Sequence, residues 1–151
     1  MNTQDKIPRS LIKKAFTTTS DLKRMAAALN IPLTAILHKD QLNHIKPQAG
    51  QTFIINLEDS NGPQGGTHWV CFVLLNNDHP IYFDSYGAPP PCNIIDFCKK
   101  YTNKSLLYSD KQIQSIRSGS CGQYCILFLN TVLKTNGNSK KKLKTMVNIF
   151  K

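Results

Sequence analysis

The chain has 151 residues, of which 40% are hydrophobic, and its formal net charge is +10 at neutral pH. This length and apolar content predict a single domain over residues 1–151 with a core of ordinary size. No stretch reaches the roughly 18 consecutive apolar residues of a membrane span, and the N-terminal residues lack the apolar core of a secretory signal. We therefore expect a protein that is neither secreted nor inserted in a membrane.

The excess of basic residues favours an anionic partner, and nucleic acid is the first candidate. A surface that serves only solubility would carry the same charge, so charge alone does not decide. The chain has five cysteines, an odd number without even spacing. In an intracellular protein this pattern favours reduced thiols over a disulfide framework.

The first half of the chain alternates between helical and extended patterns. Ser20 is the predicted cap of a helix over residues 21–30, which ends before Pro32, because a residue that precedes proline is disfavoured in a helix. Residues 33–45 fit neither pattern clearly. Residues 52–58 predict a strand, and the sequence DSNGPQGG after it predicts a flexible loop.

Two strands follow, and the first, HWVCFVLL at 68–75, is apolar on both faces, as in a central strand. After a turn at 76–78, residues 81–86 return as its partner. Residues 93–101 predict a helix, and residues 105–110 and 111–115 predict short extended segments.

The clearest helix begins at Cys121 and ends at Asn136-Gly137. Its buried stripe follows helical spacing and comprises Cys121, Cys125, Phe128, Leu129, Val132 and Leu133. Residues 140–151 predict an amphipathic tail helix. Helices and strands in this order predict the α+β class.

Cys121 is a candidate nucleophile because it stands at the start of this helix. A thiol attacks as thiolate, which a helix N-terminus and a nearby imidazolium both favour. A cap from Ser118 or Ser120 would place Cys121 in the first turn, and Gly122 would leave room for a substrate backbone. The alternative is that Cys121 only begins the buried stripe, and spacing alone does not separate the two.

His68 is the candidate base among the four histidines, because it opens a buried strand at the end of the sheet. Asp84 is the candidate acid that orients the imidazole. A three-residue loop pairs Leu75 with His79, and therefore Val70 with Asp84, which sets Asp84 diagonal to His68 on one face. A structural histidine and a turn-opening aspartate remain the alternatives.

Gln114 is the candidate second donor of an oxyanion hole, beside the backbone N–H of Cys121. Removing such a donor raises the barrier by roughly 2.7–4 kcal/mol. Gln112 competes for this role, and a solvated loop residue is the structural alternative. A zinc site on Cys121, Cys125 and His68 is disfavoured because no second Cys-x-x-Cys pair exists, so we expect no metal.

Four segments in this order carry a resemblance to a known family. They are GTHWV at 66–70, YFDSYG at 82–87, Gln114, and SGSCGQYC at 118–125. Together they resemble the adenain-like cysteine proteases, the adenovirus-type maturation proteases and their relatives, which are related to proteases specific for ubiquitin-like modifiers. The resemblance covers roughly residues 65–130. It implies a papain-like fold, in which a central mixed sheet packs against a buried helix that carries the nucleophile.

The resemblance also implies roles: Cys121 is the nucleophile, His68 the base, Asp84 its orienting acid, and Gln114 part of the oxyanion hole. The implied activity is a cysteine endopeptidase that cleaves viral capsid or core precursors near glycine and needs no cofactor for the chemistry. An aspartate at position 84 is also the acid of the modifier proteases, whereas adenovirus enzymes typically use glutamate. Removal of a ubiquitin-like modifier is therefore one alternative, and a non-catalytic nucleic-acid-binding virion protein is the other.

The family further implies protein substrates, stimulation by DNA or by a short viral peptide, and a location in the host nucleus or cytoplasm and in the virion. We expect a monomer. The candidate DNA contacts are Lys140, Lys141 and Lys142. Cys92, in a proline-rich segment, is the candidate for an exposed thiol that tethers a peptide. The remaining cysteines, Cys71, Cys98 and Cys125, are expected in the core.

Overall fold

The computed structural model describes residues 18–58, 68–113 and 121–149. The elements in chain order are helix α1 Thr19–Ala28, strand β1 Ala35–His38, a 3₁₀ helix Lys39–His44, strands β2 Thr52–Asn56, β3 Trp69–Val73 and β4 Ile81–Phe83, helix α2 Cys92–Tyr101, strand β5 Leu107–Tyr108, and helices α3 Cys121–Lys134 and α4 Ser139–Ile149. Among these described helices, none has the length and apolar character needed to cross a membrane.

The five described strands form one mixed sheet in the order β1-β2-β3-β4-β5. Strand β3 runs antiparallel to both of its neighbours, β2 and β4, whereas the outer strand β1 is parallel to β2 and the outer strand β5 is parallel to β4. All five residues of the middle strand β3 are buried. The prediction of a central strand that is apolar on both faces is therefore confirmed.

Helices cover both faces of this sheet, and alternate side chains of each strand enter different cores. On one face, Ile54 and Cys71 pack with α1, α3 and α4. On the other, Phe53 and Phe72 meet Phe97 of α2, with the ring centroids of Phe53 and Phe97 5.4 Å apart. The α+β prediction and the sheet packed on a buried helix are confirmed, since α3 lies against β3.

Helix α3 carries the predicted buried stripe. Its residues Cys121, Cys125, Phe128, Leu129 and Val132 are buried, and Leu133 is half-buried. The rings of Phe128 and Phe83 stack with centroids 4.8 Å apart, which fixes the helix against the sheet. The predicted tail helix is α4, whose Met146 is fully buried in the same core.

The predicted cap at Ser20 is wrong. Helix α1 begins at Thr19, two residues before the predicted start, and Thr18 caps it in a capping box with Asp21. The Thr18 hydroxyl accepts the Asp21 N–H at 3.1 Å, and the Asp21 carboxylate accepts the Thr18 N–H at 3.0 Å. This reciprocal pair satisfies two backbone donors, which leaves Ser20 inside the first turn.

Several predicted strands are shorter than the sequence pattern indicates. Strand β4 ends at Phe83 because Asp84 begins a turn, in which the Gly87 N–H donates to the Asp84 carbonyl at 2.9 Å. Only Leu107–Tyr108 of the predicted segment 105–110 pairs with the sheet. Residues 111–113 are not a strand, and 114 and 115 lie outside the described residues.

Contacts from helix α4 tie the tip of the β3–β4 hairpin to the end of α3. The Ser139 N–H donates to the Asp78 carboxylate at 2.9 Å, and this hydrogen bond, first among several causes, lowers the pKa of Asp78. At the end of α3, the Lys142 ammonium donates to the carbonyl oxygens of Val132, at 2.7 Å, and of Thr135. Val132 belongs to the last turn of α3, whose carbonyls lack helical donors, and Thr135 directly follows the helix, so Lys142 caps this end.

Candidate active site

The β3–β4 hairpin brings His68 and Asp84 together. Its register pairs Cys71 with Phe83 and Val73 with Ile81, which is the register predicted from a three-residue loop. His68 precedes β3 and Asp84 follows β4, so both lie at the open end of the hairpin. The His68 Nε2 atom is 2.7 Å from the Asp84 Oδ1 atom. The predicted diagonal contact is therefore present.

Asp84 is held in a buried, well-defined position. Its side chain is 2% exposed, and the same Oδ1 atom accepts the backbone N–H of Tyr86 at 2.8 Å. A buried carboxylate is tolerated when charge-assisted hydrogen bonds replace its hydration. Asp84 can thus fix both the orientation of the imidazole and its tautomer.

The His68 ring lies flat against the ring of Tyr86, with centroids 4.3 Å apart and planes inclined by 12°. Burial opposes the charged imidazolium and lowers the pKa of His68. The hydrogen bond to Asp84 and the neighbouring Cys121 sulfur act in the opposite direction and prevail, so the pKa is raised to about 9. His68 is therefore an imidazolium at neutral pH.

Asp84 engages Nε2 of the His68 ring, which leaves Nδ1 as the second ring nitrogen. This atom is buried and makes no hydrogen bond of ordinary geometry to any described residue. The Cys121 sulfur is nevertheless close enough to the imidazole to raise its pKa.

Cys121 is the first residue of α3, and 4% of its surface is exposed. Its sulfur accepts the backbone N–H of Trp69 at 3.3 Å. That contact ties the thiol to the strand residue next to His68. The predicted caps Ser118 and Ser120 lie outside the described residues.

Gln114, the predicted oxyanion donor, also lies outside the described residues. Its competitor Gln112 is described and exposed. Immediately before position 114, the Ile113 N–H donates to the Ser85 carbonyl at 2.8 Å, next to Asp84.

The five cysteines all lie in the described ranges and are free thiols. As predicted, Cys71, Cys98 and Cys125 are buried and Cys92 is exposed, although Cys92 begins helix α2 and is not in a loop. Burial raises the pKa of Cys98 to about 12 and that of Cys125 well above its ordinary value. These two thiols are therefore unreactive core groups.

No cluster of three or more His, Cys, Asp or Glu side chains suited to a metal ion occurs in ranges 18–58, 68–113 and 121–149. The Cys125 thiol donates to the Trp69 carbonyl at 3.4 Å. Of the three zinc ligands weighed from the sequence, Cys125 is thus directed at the backbone.

The predicted DNA contacts on α4 differ in their surroundings. Lys140 and Lys141 are exposed. Lys142 is not free, because its ammonium caps helix α3.

Sequence reasoning assigned no role to two features of the site, the Tyr86 ring and the Trp69 backbone N–H. Tyr86 lies two residues after Asp84 in the quoted YFDSYG segment. Its place in that segment, with no role assigned to it, was the signal that could have pointed to the tyrosine. A backbone donor leaves no trace in residue identity, and only the contact with the Cys121 sulfur reveals it.

No protein-family model and no curated protein sequence matches this chain. Among solved structures, the chain is similar to two structures of the ASFV pS273R protease. The selenomethionine form has a TM-score of 0.49 and 17% sequence identity, and the match covers 93% of this chain and 70% of the protease chain. The other structure has a TM-score of 0.49 and 14% identity, over 93% and 69% of the two chains.

Proposed function

We propose that this protein is a cysteine peptidase of the papain-like, adenain-like class. One observation carries the proposal: Cys121 at the start of α3 lies near His68 and Asp84 at the open end of the β3–β4 hairpin, with His68 bound to the acid at 2.7 Å and its pKa raised by the thiol. A nucleophile, a base and an orienting group within reach of one another are the parts that acyl transfer requires.

The first half of the reaction uses the charge of His68. The imidazolium favours the Cys121 thiolate, whose sulfur attacks the carbonyl carbon of the scissile peptide bond. When the tetrahedral intermediate collapses, the carbon–nitrogen bond breaks and His68 donates its proton to the departing amine. The acyl group is left on Cys121 as a thioester.

The second half regenerates the thiol. Neutral His68 takes a proton from water, and the resulting hydroxide attacks the thioester carbon. The carbon–sulfur bond breaks, the substrate leaves as a carboxylic acid, and the thiolate–imidazolium pair is restored. The role of Asp84 in both halves is to orient His68 and stabilise its cationic form.

Two donors are assigned to the oxyanion in this proposal. The first is the backbone N–H of Cys121, which lacks a helical acceptor because it belongs to the first turn of α3. The second is Gln114, assigned from the resemblance and from its place directly after Ile113. Donors aimed at the developing negative charge are worth roughly 2.7–4 kcal/mol each.

The substrates proposed are viral precursor polypeptides cleaved near glycine. Hydrolysis after a ubiquitin-like modifier uses the same residues, and Asp84 is the acid that modifier proteases also employ. Side-by-side cleavage of glycine-containing precursor peptides and modifier fusions separates the two substrate classes.

The decisive experiment is covalent labelling with a glycine-ending peptide that carries a vinyl ester warhead. A Cys92→Ser background removes the exposed thiol. We expect a single adduct on Cys121, found by peptide mapping, and none in Cys121→Ala that remains folded. The proposal fails if the adduct forms on another residue, or if Cys121→Ala still cleaves peptides.

Stimulation by DNA is a separate proposal. It rests on the exposed ammonium groups of Lys140 and Lys141, since Lys142 is engaged in capping. Phosphate contacts release counterions, so stimulation should decline steeply as salt rises, and a Lys140→Ala, Lys141→Ala double variant should respond less to DNA than the parent. Equal cleavage rates with and without DNA at low salt would reject this proposal.

A further inference from the structure

The turn that follows β4 presents two groups to His68: the Asp84 carboxylate and the Tyr86 ring. Gly87 closes this turn, and its N–H donates to the Asp84 carbonyl at 2.9 Å. The φ angle of Gly87 is +78°, in the left-handed region that favours glycine. The turn therefore depends on Gly87 for its conformation.

Gly87 also lies at a crossing of two backbone segments. A Cβ atom built on Gly87 would be 2.5 Å from the Asp110 carbonyl oxygen and 2.8 Å from the Lys111 carbonyl carbon. Both are backbone atoms, so a flexible side chain cannot move aside to relieve the overlap. Nearby, the Ile113 N–H donates to the Ser85 carbonyl at 2.8 Å. Residues 110–113 thus touch the turn at two points.

Gly50 shows that a left-handed glycine in this protein need not mark a close approach. Its φ angle is +84°, yet a Cβ atom at Gly50 would meet no described atom within 4 Å. An alanine at either position carries a similar conformational penalty. An alanine at Gly87 alone adds the overlap with residues 110 and 111.

We propose that Gly87 is a positioning residue of the catalytic cluster, because its bare backbone lets residues 110–113 brace the turn that holds Asp84 and Tyr86 against His68. The effect of Gly87 on catalysis rests on the proposed function, whereas its effect on the positions of Asp84 and Tyr86 does not. A methyl group at Gly87 must separate the two segments, and the displacement reaches Tyr86, the adjacent residue, and Asp84, three residues away.

The test compares Gly87→Ala with Gly50→Ala, both in the Cys92→Ser background. The imidazole nitrogens of His68 are titrated by NMR, and alkylation of Cys121 by iodoacetamide is timed at neutral pH. For Gly50→Ala we expect a His68 midpoint near the parent value of about 9 and an alkylation rate within about twofold. For Gly87→Ala we expect a midpoint lower by about one pH unit or more and alkylation slower by about tenfold or more.

A loss of stability alone would not produce this result, since both readouts report on the folded site. If Gly87→Ala does not fold, Ile113→Pro replaces it, because proline lacks the N–H that binds Ser85, and the same shifts are expected. The inference is overturned if folded Gly87→Ala matches Gly50→Ala, or if Ile113→Pro, used in its place, matches the parent. If the parent protein cleaves no peptide, the proposed function fails, while the His68 titration still decides the role of Gly87.

Discussion

Replacing Asp84 with asparagine tests the electrostatic basis of the site. The substitution keeps the shape of the side chain but removes the negative charge that faces His68 at 2.7 Å. In the parent, the rise of the His68 pKa from 6.5 to about 9 corresponds to roughly 3 kcal/mol of preference for the imidazolium. Burial acts against the charged ring, whereas the Cys121 sulfur also supports it, so without the carboxylate the pKa of His68 should fall well below 9.

The size of this change sets the kinetic expectation. The whole shift, roughly 3 kcal/mol, corresponds to a factor on the order of 100 in the equilibrium constant for protonating His68, and kcat/KM should fall by up to this order when the share due to Asp84 is removed. The measurements are the NMR titration of His68 and the alkylation rate of Cys121 at neutral pH. Asp96→Asn, which removes an exposed carboxylate on α2, is the matched control.

The same group makes the folding free energy depend on pH. Because the folded state raises the pKa of His68, its contribution to stability is complete below pH 6.5 and is lost as pH rises through about 9. The parent should therefore lose stability across this interval in denaturant titrations, and Asp84→Asn should lose less. A His68 midpoint that is unchanged in Asp84→Asn would refute the reasoning.

Three further expectations concern other contacts. Tyr86→Ala removes the ring stacked on His68, so alkylation of Cys121 should slow by about tenfold. An unchanged rate would show that the stacking does not affect the reactivity of Cys121. Asp78→Ala removes the acceptor of the Ser139 N–H and should cost about 1 kcal/mol in thermal unfolding. Since the folded state lowers the pKa of Asp78 from 3.8, the parent should lose this contribution as pH falls below that value, and Asp78→Ala should lack the loss. In native protein treated with iodoacetamide, mass spectrometry should find the buried Cys98 unmodified; its early modification would contradict the described core.

The hairpin that carries His68 was predictable because two simple patterns agree there. Residues 68–75 are apolar throughout, and the loop that follows offers a register that side-chain alternation then propagates to Asp84. Helix α3 was predictable for a similar reason, since its apolar stripe follows helical spacing over three turns. Strong periodicity defines an element and the faces of its residues.

The sequence was less informative where backbone contacts decide the structure. The cap at Thr18 instead of Ser20 depends on a reciprocal bond with Asp21, and several residues near the helix start could have served. The contact of the Lys142 ammonium with the carbonyls at the end of α3 depends on where α3 ends relative to α4. A run of three lysines looks uniform in sequence, yet its members meet different surroundings once two helices pack together.

The site is divided between a hairpin and a separate helix, and this division affects the order in which activity and structure are lost during unfolding. His68 and Asp84 flank the two strands at the open end of one hairpin and are joined by a hydrogen bond, so they move as a single body. The Cys121 sulfur reaches that body through the Trp69 N–H and the packing of α3. Mild denaturant that loosens this helix should abolish turnover while the acid and the imidazole are still joined, so inactivation should precede the loss of sheet structure.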